Sequence, residues 1–575
     1  MTKTTYYPAT LLCDFYKVSH RQQYPEGTEF VYSTWTPRAS YIDGVKGVVA
    51  FGMQAFVMKY LIEYFNEHFF ERPKQDVIDE YVRFIKNTLF VDSPEYDHIV
   101  ALHDLGYLPL EIRMVKEGTI VPLKVPMATI VNTHPDFFWL TNYIETLMSS
   151  ENWLPSTSAT IALEYKKLLN KYAELTGGDL GFVPFQGHDF SMRGMVVEAS
   201  KLSGAGHLTS FLGTDTIPAI SFLEKYYEAN VENELVGTSV NATEHSVMCA
   251  GGQDNEFETY DRLINKVHPT GILSIVSDTW DLWNVLTDTL VKLKDSIMNR
   301  EGKVVIRPDS GDPVRILCGD YIRDLTEKCS TIEECKTYME DVLIDEVRDE
   351  TPHGEHGDCD VSNMFKFKGK YYSIEIEIDW NRYDKQYYYI DGSRVSKCKE
   401  TTPTPEQIGV IELLWNVFGG TVNEKGYKEL DSHIGAIYGD SITLARAEAI
   451  CKGLMEKGFA STNVVFGIGS FTYQFQTRDT FGFAMKAVHV VINGEEKFIL
   501  KDPVTDTKKT KKSATGRLIV TKEDFTDNII MVDGLTIDQQ NILEENDLLE
   551  VVFVNGELKR EQTLSEIREI IVNQL

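Results

Sequence analysis

Val304-Val305-Ile306, followed at once by Arg307-Pro308-Asp309-Ser310-Gly311, is the stretch of sequence that decides the fold. A short branched apolar run is typical of a fully buried parallel strand, and reactive side chains gather where such strands end in α/β barrels. The same change from apolar to Gly, Asp, Ser, Arg or His follows the runs 182–184, 210–212, 273–276, 436–438 and 464–466. A doubly wound open sheet would give a similar pattern, but six strand ends are more than one nucleotide crevice needs. The sequence therefore favours an α/β barrel.

The barrel pattern occupies residues 151–485 and is flanked by two segments of different character. Residues 1–150 are rich in helical patterns and aromatic side chains, and residues 486–575 alternate strand-like runs with turns. We expect these two ends to pack together as a second, discontinuous α+β domain. Length alone supports more than one domain in a chain of 575 residues.

Residues 315–431 interrupt the barrel pattern and predict an inserted acidic and β-rich subdomain. The segment 320–360 holds 14 acidic and 4 basic residues. Ile374, Ile376 and Ile378 then alternate with acidic residues, as in a half-exposed strand. Asp391-Gly392 lies between two strand-like runs and predicts a hairpin turn.

Composition excludes several classes of function. The chain has 87 acidic and 57 basic side chains, a net charge of −30, which argues against nucleic acid or an anionic membrane as partner. The apolar stretch 48–65 is interrupted by Gln54 and Lys59 and indicates an amphipathic helix rather than a membrane span. The eight scattered cysteines and the lack of a signal peptide predict a cytoplasmic protein.

Three strand ends carry residue types suited to catalysis. Glu244-His245-Ser246 offers a histidine that the Asp278 carboxylate could orient, although a histidine satisfied in the core would look the same. Arg307 and Asp309 suit a phosphate or carbonyl and sugar hydroxyls, or else a surface salt bridge. The 467–470 turn, followed by Arg478, could present backbone N–H groups to an oxyanion, but it lacks the third glycine of a dinucleotide fingerprint.

Two further clusters have weaker signals. Lysines at 508, 509, 511 and 512 form the one dense basic run, which fits either a solvated loop or the rim of a phosphate site. His353, His356, Cys359 and Asp360 have the spacing of metal ligands, but no second ligand pair matches them.

Taken in order along the chain, these motifs resemble those of the nicotinamide phosphoribosyltransferases, over nearly the whole length except the insertion. The stretches that carry the resemblance are 14–20, 23–25, 189–194, 213–216, 244–246, 276–278, 306–311, 439–440, 466–469, 477–479, 501–504 and 516–518.

The resemblance implies an incomplete α/β barrel with a second domain, in a homodimer with active sites at the subunit interface. It implies the transfer of phosphoribosyl from phosphoribosyl pyrophosphate to nicotinamide, which gives nicotinamide mononucleotide for NAD salvage. It also implies Mg²⁺ held through the substrate pyrophosphate, and ATP as a co-substrate that phosphorylates His245.

The resemblance assigns a role to each candidate residue. Phe190 and the Tyr16 of a second copy would stack on the pyridine ring, with Asp215 and Arg307 on its carboxamide. The remaining assignments are Asp309, Gly439 and Asp440 for the phosphoribosyl group, Gly469 and Ser470 for the 5′-phosphate, Arg193, Arg38, Arg478 and Lys486 for the anionic groups, and Glu244 and Asp278 for His245. Ser470 and Ala484 depart from the family, which often has glycine and serine there.

Asp215 separates nicotinamide from nicotinate, because an aspartate would repel a carboxylate. A like-charge pair at about 4 Å costs roughly 1 kcal/mol in water and about 4 kcal/mol at an effective dielectric of 20. The sequence therefore predicts a nicotinamide enzyme. The alternatives are a nicotinate phosphoribosyltransferase and a catalytically silent barrel that binds nucleotides.

Overall fold

The computed structural model describes residues 6–350, 359–382, 388–439, 441–503, 505 and 512–575. Its centre is a seven-stranded parallel sheet. Across the sheet the strands run Gly213–Thr214, Gly187–Phe190, Val464–Gly469, Ile434–Tyr438, Glu301–Arg307, Thr270–Val276 and Asn241–Ala242. The helices around it include Glu145–Thr176, Val197–His207, Ile217–Tyr226, His245–Gly251, Glu256–Arg262, Pro313–Cys318, Val410–Phe418 and Leu444–Glu456.

The parallel sheet curls into an incomplete barrel, as the resemblance implied. Its two edge strands, Gly213–Thr214 and Asn241–Ala242, are each only two residues long. The segment between Thr238 and Ala242 reaches both edges, because the Thr214 N–H donates to the Thr238 carbonyl (2.9 Å) while Ala242 pairs with Ser274. A short crossing segment therefore stands where a closed barrel would have a full strand.

Four of the six predicted strands are confirmed, namely those at 273–276, 304–306, 436–438 and 464–466. The predictions at 182–184 and 210–212 are wrong. Val183–Gln186 is a short helix with Pro184 in its first turn, and its strand begins only at Gly187. Val183 and Phe211 are fully buried in the barrel core. Their apolar character therefore reflects packing rather than strand pairing.

The chain ends share one antiparallel sheet. Across it the strands are Glu495–Phe498, Ala484–Ile492, Thr28–Thr36, Ala128–Asn132, Leu110–Met114, Glu550–Val554 and Glu557–Leu558. Helices Lys74–Leu89 and Asp97–Leu105 cover it. The helix predicted in the apolar stretch 48–65 is confirmed from Met53 onward, through Met53–Phe56 and Val57–Tyr64, whereas Val48 and Val49 lie in the strand Gly47–Val49. None of the helices in the described part of the chain is both long and apolar enough to cross a bilayer.

A buried glutamate, Glu117, links parts of the two chain ends. Glu117 is 1% exposed and accepts hydrogen bonds from the N–H groups of Gly52 (3.1 Å) and Gln54 (2.7 Å). Its own N–H donates to the Gln562 side chain (2.7 Å). Burial raises the pKa of Glu117, and the two N–H donors oppose that shift. Glu117 therefore holds the 52–54 segment through its carboxylate and the C-terminal Gln562 through its backbone.

The insertion has an apolar core of its own. Strands Arg323–Asp324, Cys359–Phe367, Lys370–Arg382 and Tyr388–Thr401 form a four-stranded sheet, accompanied by helix Ile332–Glu350. Ile374, Ile376 and Ile378 are at most 1% exposed and pack in this core, so the predicted alternation is confirmed. Helices Pro313–Cys318 and Val410–Phe418, which lie at or inside the predicted bounds 315–431, pack instead in the barrel core.

The predicted hairpin turn at Asp391-Gly392 is wrong. Tyr388–Thr401 is one strand, and the pairing passes from Asp379–Gly392 to Trp380–Ile390. Asp391 is therefore the extra residue of a β-bulge. Turn-forming residues suit a bulge as well as a hairpin, because both interrupt the regular ladder.

The insertion leaves the barrel through a narrow neck. Gly319 and Gly409 both have positive φ (67° and 86°), and the Asp320 N–H donates to the Gln407 carbonyl (2.9 Å). The ammonium of Lys457, whose side chain is 11% exposed, donates to two neck carbonyls at 2.7 Å each and pairs with Glu412 at 2.8 Å. The entering and leaving chains are thus held side by side.

Candidate active site

Phe190 ends its strand at the carboxyl edge of the barrel and is backed by two glycines. A Cβ on Gly467 would lie 2.5 Å from the Phe190 ring and 2.8 Å from the Gly439 Cα. A Cβ on Gly439 would lie 3.1 Å from the Asp309 carboxylate. The two glycines therefore allow the ring and two neighbouring strand ends to come together.

Asp215 and Arg307 lie near Phe190 with opposite charges. Asp215 accepts hydrogen bonds at one oxygen, Oδ1, from His188 (2.9 Å) and Ser239 (2.5 Å). Burial raises the pKa of Asp215, but these hydrogen bonds and the charge of Arg307 outweigh it, and the pKa lies below its ordinary value. The Arg307 Nη2 donates to the Thr243 carbonyl (2.6 Å), and its buried Nε has no hydrogen-bond partner among the described residues.

The loop after Arg307 is held by Asp278. Its Oδ2 accepts from the Asp309 N–H (2.9 Å) and from the Ser310 hydroxyl (2.5 Å). Asp278 therefore shapes the loop that presents Asp309, which Gly439 also approaches.

His245 begins the helix His245–Gly251 and is half-exposed. Its Nδ1 lies 3.0 Å from the Thr279 hydroxyl, and its Nε2 lies 3.9 Å from Asp309 Oδ2. The predicted direct bond from Asp278 to His245 is not formed, because the Asp278 carboxylate is turned to the 309–310 loop and Thr279 takes that place. Glu244 accepts a hydrogen bond from Ser246 rather than contacting the imidazole.

The strand Val464–Gly469 ends where the sequence predicts the 5′-phosphate, and the space beside its last residue is open. Apart from its chain neighbours, no described residue has an atom within 4 Å of a Cβ built on Gly469, so the space beside it is open. Ser470 packs against the turn Met192–Gly194, because a Cβ on Gly194 would lie 2.0 Å from the Ser470 hydroxyl. Arg193 on this turn is exposed and close enough to Arg307 to lower its pKa, although burial of Arg307 lowers it more.

A second set of cations lies on the antiparallel sheet. Lys486 pairs with Thr34 across the strands, and the Arg38 Nε donates to the Gly482 carbonyl (2.7 Å). Burial lowers the pKa of Lys486, and Arg38, Lys501 and Lys17 lower it further against the opposing charge of Glu145. Lys17 is 3% exposed and bonded to Glu145 (2.5 Å). Clustered positive charge of this kind suits an anionic ligand.

The other predicted residues are distributed as follows. Arg478 is exposed and pairs with Asp479 at 3.5 Å. Tyr16 is 56% exposed on the turn Phe15–Ser19, and Ala484 is buried at the start of its strand. The predictions at Asp440, at Lys508, Lys509 and Lys511, and at His353 and His356 fall outside the described residues. Within the described part, no three His, Cys, Asp or Glu side chains are grouped so that they could hold a metal ion.

Sequence reasoning missed several residues that contact the site: His188, Ser239, Thr243, Thr279 and Ser310. His188, Thr279 and Ser310 follow predicted strand runs closely in sequence, which was the available signal. Ser239 and Thr243 lie near no predicted strand end. Their partners lie on other strands, so only the folded barrel shows which of them matter.

Comparison with known proteins identifies the chain. A family model described as the nicotinate phosphoribosyltransferase (NAPRTase) family matches residues 185–345 and 395–557. Another, described as the N-terminal domain of nicotinamide phosphoribosyltransferase, matches residues 9–112. The fold and the matching family models are thus those of a phosphoribosyltransferase. The chain belongs to the nicotinate phosphoribosyltransferase family and, within it, groups with the nicotinamide phosphoribosyltransferases.

Relatives of nearly full length support this assignment. The chain is 45% identical to a nicotinamide phosphoribosyltransferase of Acinetobacter baylyi, with 98% of this chain and 96% of the relative covered. It is 32% identical to that of Mycoplasma pneumoniae, with 88% and 94% covered. The crystal structure of nicotinate-nucleotide pyrophosphorylase from Pyrococcus furiosus shares the fold, with a TM-score of 0.52, 13% identity, and 100% of this chain and 98% of that chain covered.

Proposed function

We propose that this enzyme transfers the phosphoribosyl group of phosphoribosyl pyrophosphate to nicotinamide, giving nicotinamide mononucleotide and pyrophosphate for NAD salvage. The observation that carries the proposal is the trio Phe190, Asp215 and Arg307 at the carboxyl edge of the barrel. An aromatic face binds a flat ring, a carboxylate accepts from the carboxamide NH₂, and a guanidinium donates to its carbonyl. The names of the two nearly full-length relatives agree with this substrate.

The surrounding charges suit the leaving group. Displacing pyrophosphate from the ribose C1 builds negative charge on the phosphates, and fixed cations stabilise it. We assign Arg193, Arg38, Arg478 and Lys486 to this role, and Asp309, Gly439 and Asp440 to the ribose. Gly469 and Ser470 would hold the 5′-phosphate through their backbone N–H groups.

We propose that Mg²⁺ is held mainly by the oxygen atoms of the substrate pyrophosphate. Mg²⁺ is commonly bound through one or two carboxylates together with substrate phosphates. Bound in this way, Mg²⁺ would neutralise charge on the pyrophosphate.

We further propose that ATP phosphorylates His245 and so couples ATP hydrolysis to product formation. Its Nδ1 is engaged by Thr279, while Nε2 lies 3.9 Å from Asp309 on a side chain that is 47% exposed. A half-exposed imidazole with one nitrogen held and the other accessible suits transfer of a phosphoryl group to Nε2. Through the loop at 309–310, Asp278 would keep Asp309 beside it.

Product formation tests both steps. Purified protein with nicotinamide and phosphoribosyl pyrophosphate should form the mononucleotide, ATP should stimulate it, and nicotinate should be a poorer substrate. No mononucleotide with or without ATP would instead support a silent nucleotide-binding barrel, and equal use of both bases would refute the role of Asp215. His245→Ala should lose the ATP stimulation but keep the basal reaction. His433→Ala, a histidine at the opposite end of a barrel strand, is the matched control.

We also propose a homodimer in which Tyr16 of one copy covers the base bound on Phe190 of the other. Tyr16 is more than half exposed, as expected of an aromatic residue that waits for a partner. Mixing Tyr16→Ala and Phe190→Ala subunits should restore up to about a quarter of wild-type activity, because half of the dimers then contain one complete site. No recovery on mixing would place the two residues in the same site of one subunit or in no shared site.

A further inference from the structure

His188 contacts both parts of the proposed base site. It lies two residues before Phe190 on the strand Gly187–Phe190, so the two side chains share one face of the strand. Their ring centroids are 4.7 Å apart, with 44° between the planes. Its Nε2 lies 2.9 Å from Asp215 Oδ1, and its side chain is 11% exposed.

The hydrogen bonds at Asp215 are one-sided. His188 and Ser239 both bond to Oδ1, and no hydrogen bond from the described residues is seen at Oδ2. An ionised carboxylate only accepts hydrogen bonds, so His188 must present Nε2–H to it. Two donors on one oxygen fix the rotation of the carboxylate and turn the other oxygen outward. Asp215 as a whole remains 45% exposed at its side chain, which is compatible with access from the barrel mouth.

We propose that His188, assisted by Ser239, is a positioning residue that sets the choice of base. It holds Asp215 ionised, with Oδ2 directed at the carboxamide NH₂, and it supports the Phe190 ring on which the base stacks. The proposal rests on the proposed function, because it assumes that Asp215 meets the carboxamide. It adds that base selectivity depends on residues which do not themselves touch the base.

The competing explanation is that His188 only fills space in the core. Both explanations predict a loss of stability on truncation, so stability cannot separate them. The positioning role makes a narrower prediction: truncation should raise KM for nicotinamide and reduce the preference for nicotinamide over nicotinate. A side chain that keeps an N–H donor at the position of Nε2 should restore both.

The variants His188→Ala, His188→Gln and Ser239→Ala test the proposal. Losing a hydrogen bond to a charged group corresponds to roughly a tenfold change or more. We expect His188→Ala to raise KM for nicotinamide about tenfold with a smaller change in kcat, and to reduce the nicotinamide preference. His188→Gln, whose amide nitrogen can occupy the Nε2 position, should recover most of the loss. Ser239→Ala should show a weaker effect of the same kind.

A double-mutant cycle identifies the route of the effect. In an Asp215→Asn background, His188→Ala should cause little further change in base preference, because the carboxylate it positions is gone. Independent, additive effects would overturn the proposal. His433→Ala breaks a comparable His–Asp pair, with Nδ1 2.6 Å from Asp431, at the other end of the barrel and should leave KM unchanged.

The outcomes distinguish the two proposals. If the wild-type protein fails to convert nicotinamide, the proposed function is wrong. If it converts nicotinamide but His188→Ala and Ser239→Ala keep both KM and base preference, only the positioning role is wrong. If His188→Gln has the same KM for nicotinamide and the same base preference as His188→Ala, His188 likewise serves only in packing.

Discussion

Replacing Gly467 by alanine would place a methyl group where the Phe190 ring now lies. The added carbon would be 2.5 Å and 2.7 Å from two ring atoms, and 2.8 Å from the Gly439 Cα. Carbon atoms that are not bonded normally stay at about 3.5–4 Å. The ring, the Gly439 strand end or both must therefore move by about 1 Å.

This displacement should affect both stability and binding of the base. Overpacking a core site of this kind costs about 1–3 kcal/mol of folding free energy. A misplacement of about 1 Å in a binding group can cost up to about a hundredfold in rate. We expect KM for nicotinamide to rise by at least tenfold, while the KM for phosphoribosyl pyrophosphate changes much less. Steady-state kinetics with each substrate varied in turn measures the two effects, and thermal unfolding reports the stability.

Gly435→Ala is the matched control, because it also adds a methyl group to a barrel strand. Its nearest contact is 3.3 Å from the Lys303 side chain, whose far end can move away. This variant should keep both KM values. If Gly467→Ala folds and retains its KM for nicotinamide, Phe190 is not the surface on which the base binds. An equal rise in both KM values would point instead to a general disturbance of the barrel mouth.

Three further predictions concern stability. Lys457→Met removes the donor from two neck carbonyls and leaves Glu412 without its partner. We therefore expect the free energy of unfolding, measured by chemical denaturation, to fall by about 3 kcal/mol. A fall below about 1 kcal/mol would show that the neck does not need the Lys457 contacts. The pKa of Glu117 is raised in the folded state, so its stabilising contribution is complete below about pH 4.5 and declines as the pH rises through the raised value. The difference in Tm between wild type and Glu117→Gln should therefore shrink from pH 4 to pH 8, and a constant difference would contradict this sign. Replacing residues 321–406 by a short turn should leave the circular dichroism and cooperative unfolding of the barrel intact, whereas aggregation would show that the insertion is needed for folding.

The barrel strands were predictable where burial and strand pairing coincide. Residues 273–276, 304–306, 436–438 and 464–466 are apolar because they lie inside the sheet, and each ends at a polar turn. The run at 182–184 has the same character, but Pro184 favours the first turn of a helix. Apolar composition reports burial and not the type of backbone, which is why this prediction failed.

The site was predictable as a set of residues but not as a set of contacts. Asp215, Arg307, Asp309 and Phe190 were identified from strand ends and from the resemblance. Two contacts of the site depend on side-chain rotation at neighbouring positions. Asp278 bonds the 309–310 loop, and Thr279 contacts the imidazole of His245. Such rotations follow from packing in three dimensions and leave no periodic trace along the chain.

The sequence by itself determined the class of fold, the interruption of the barrel by an acidic insertion, and the chemical types available at the strand ends. These features depend on local composition and on the spacing of apolar residues, which the chain carries whatever its surroundings. Tertiary structure alone decided that His188 and Ser239 meet one oxygen of Asp215 and that Gly439 and Gly467 make room for Phe190. Those contacts join segments up to 277 residues apart, because parallel strands distant in sequence end at the same edge of the sheet.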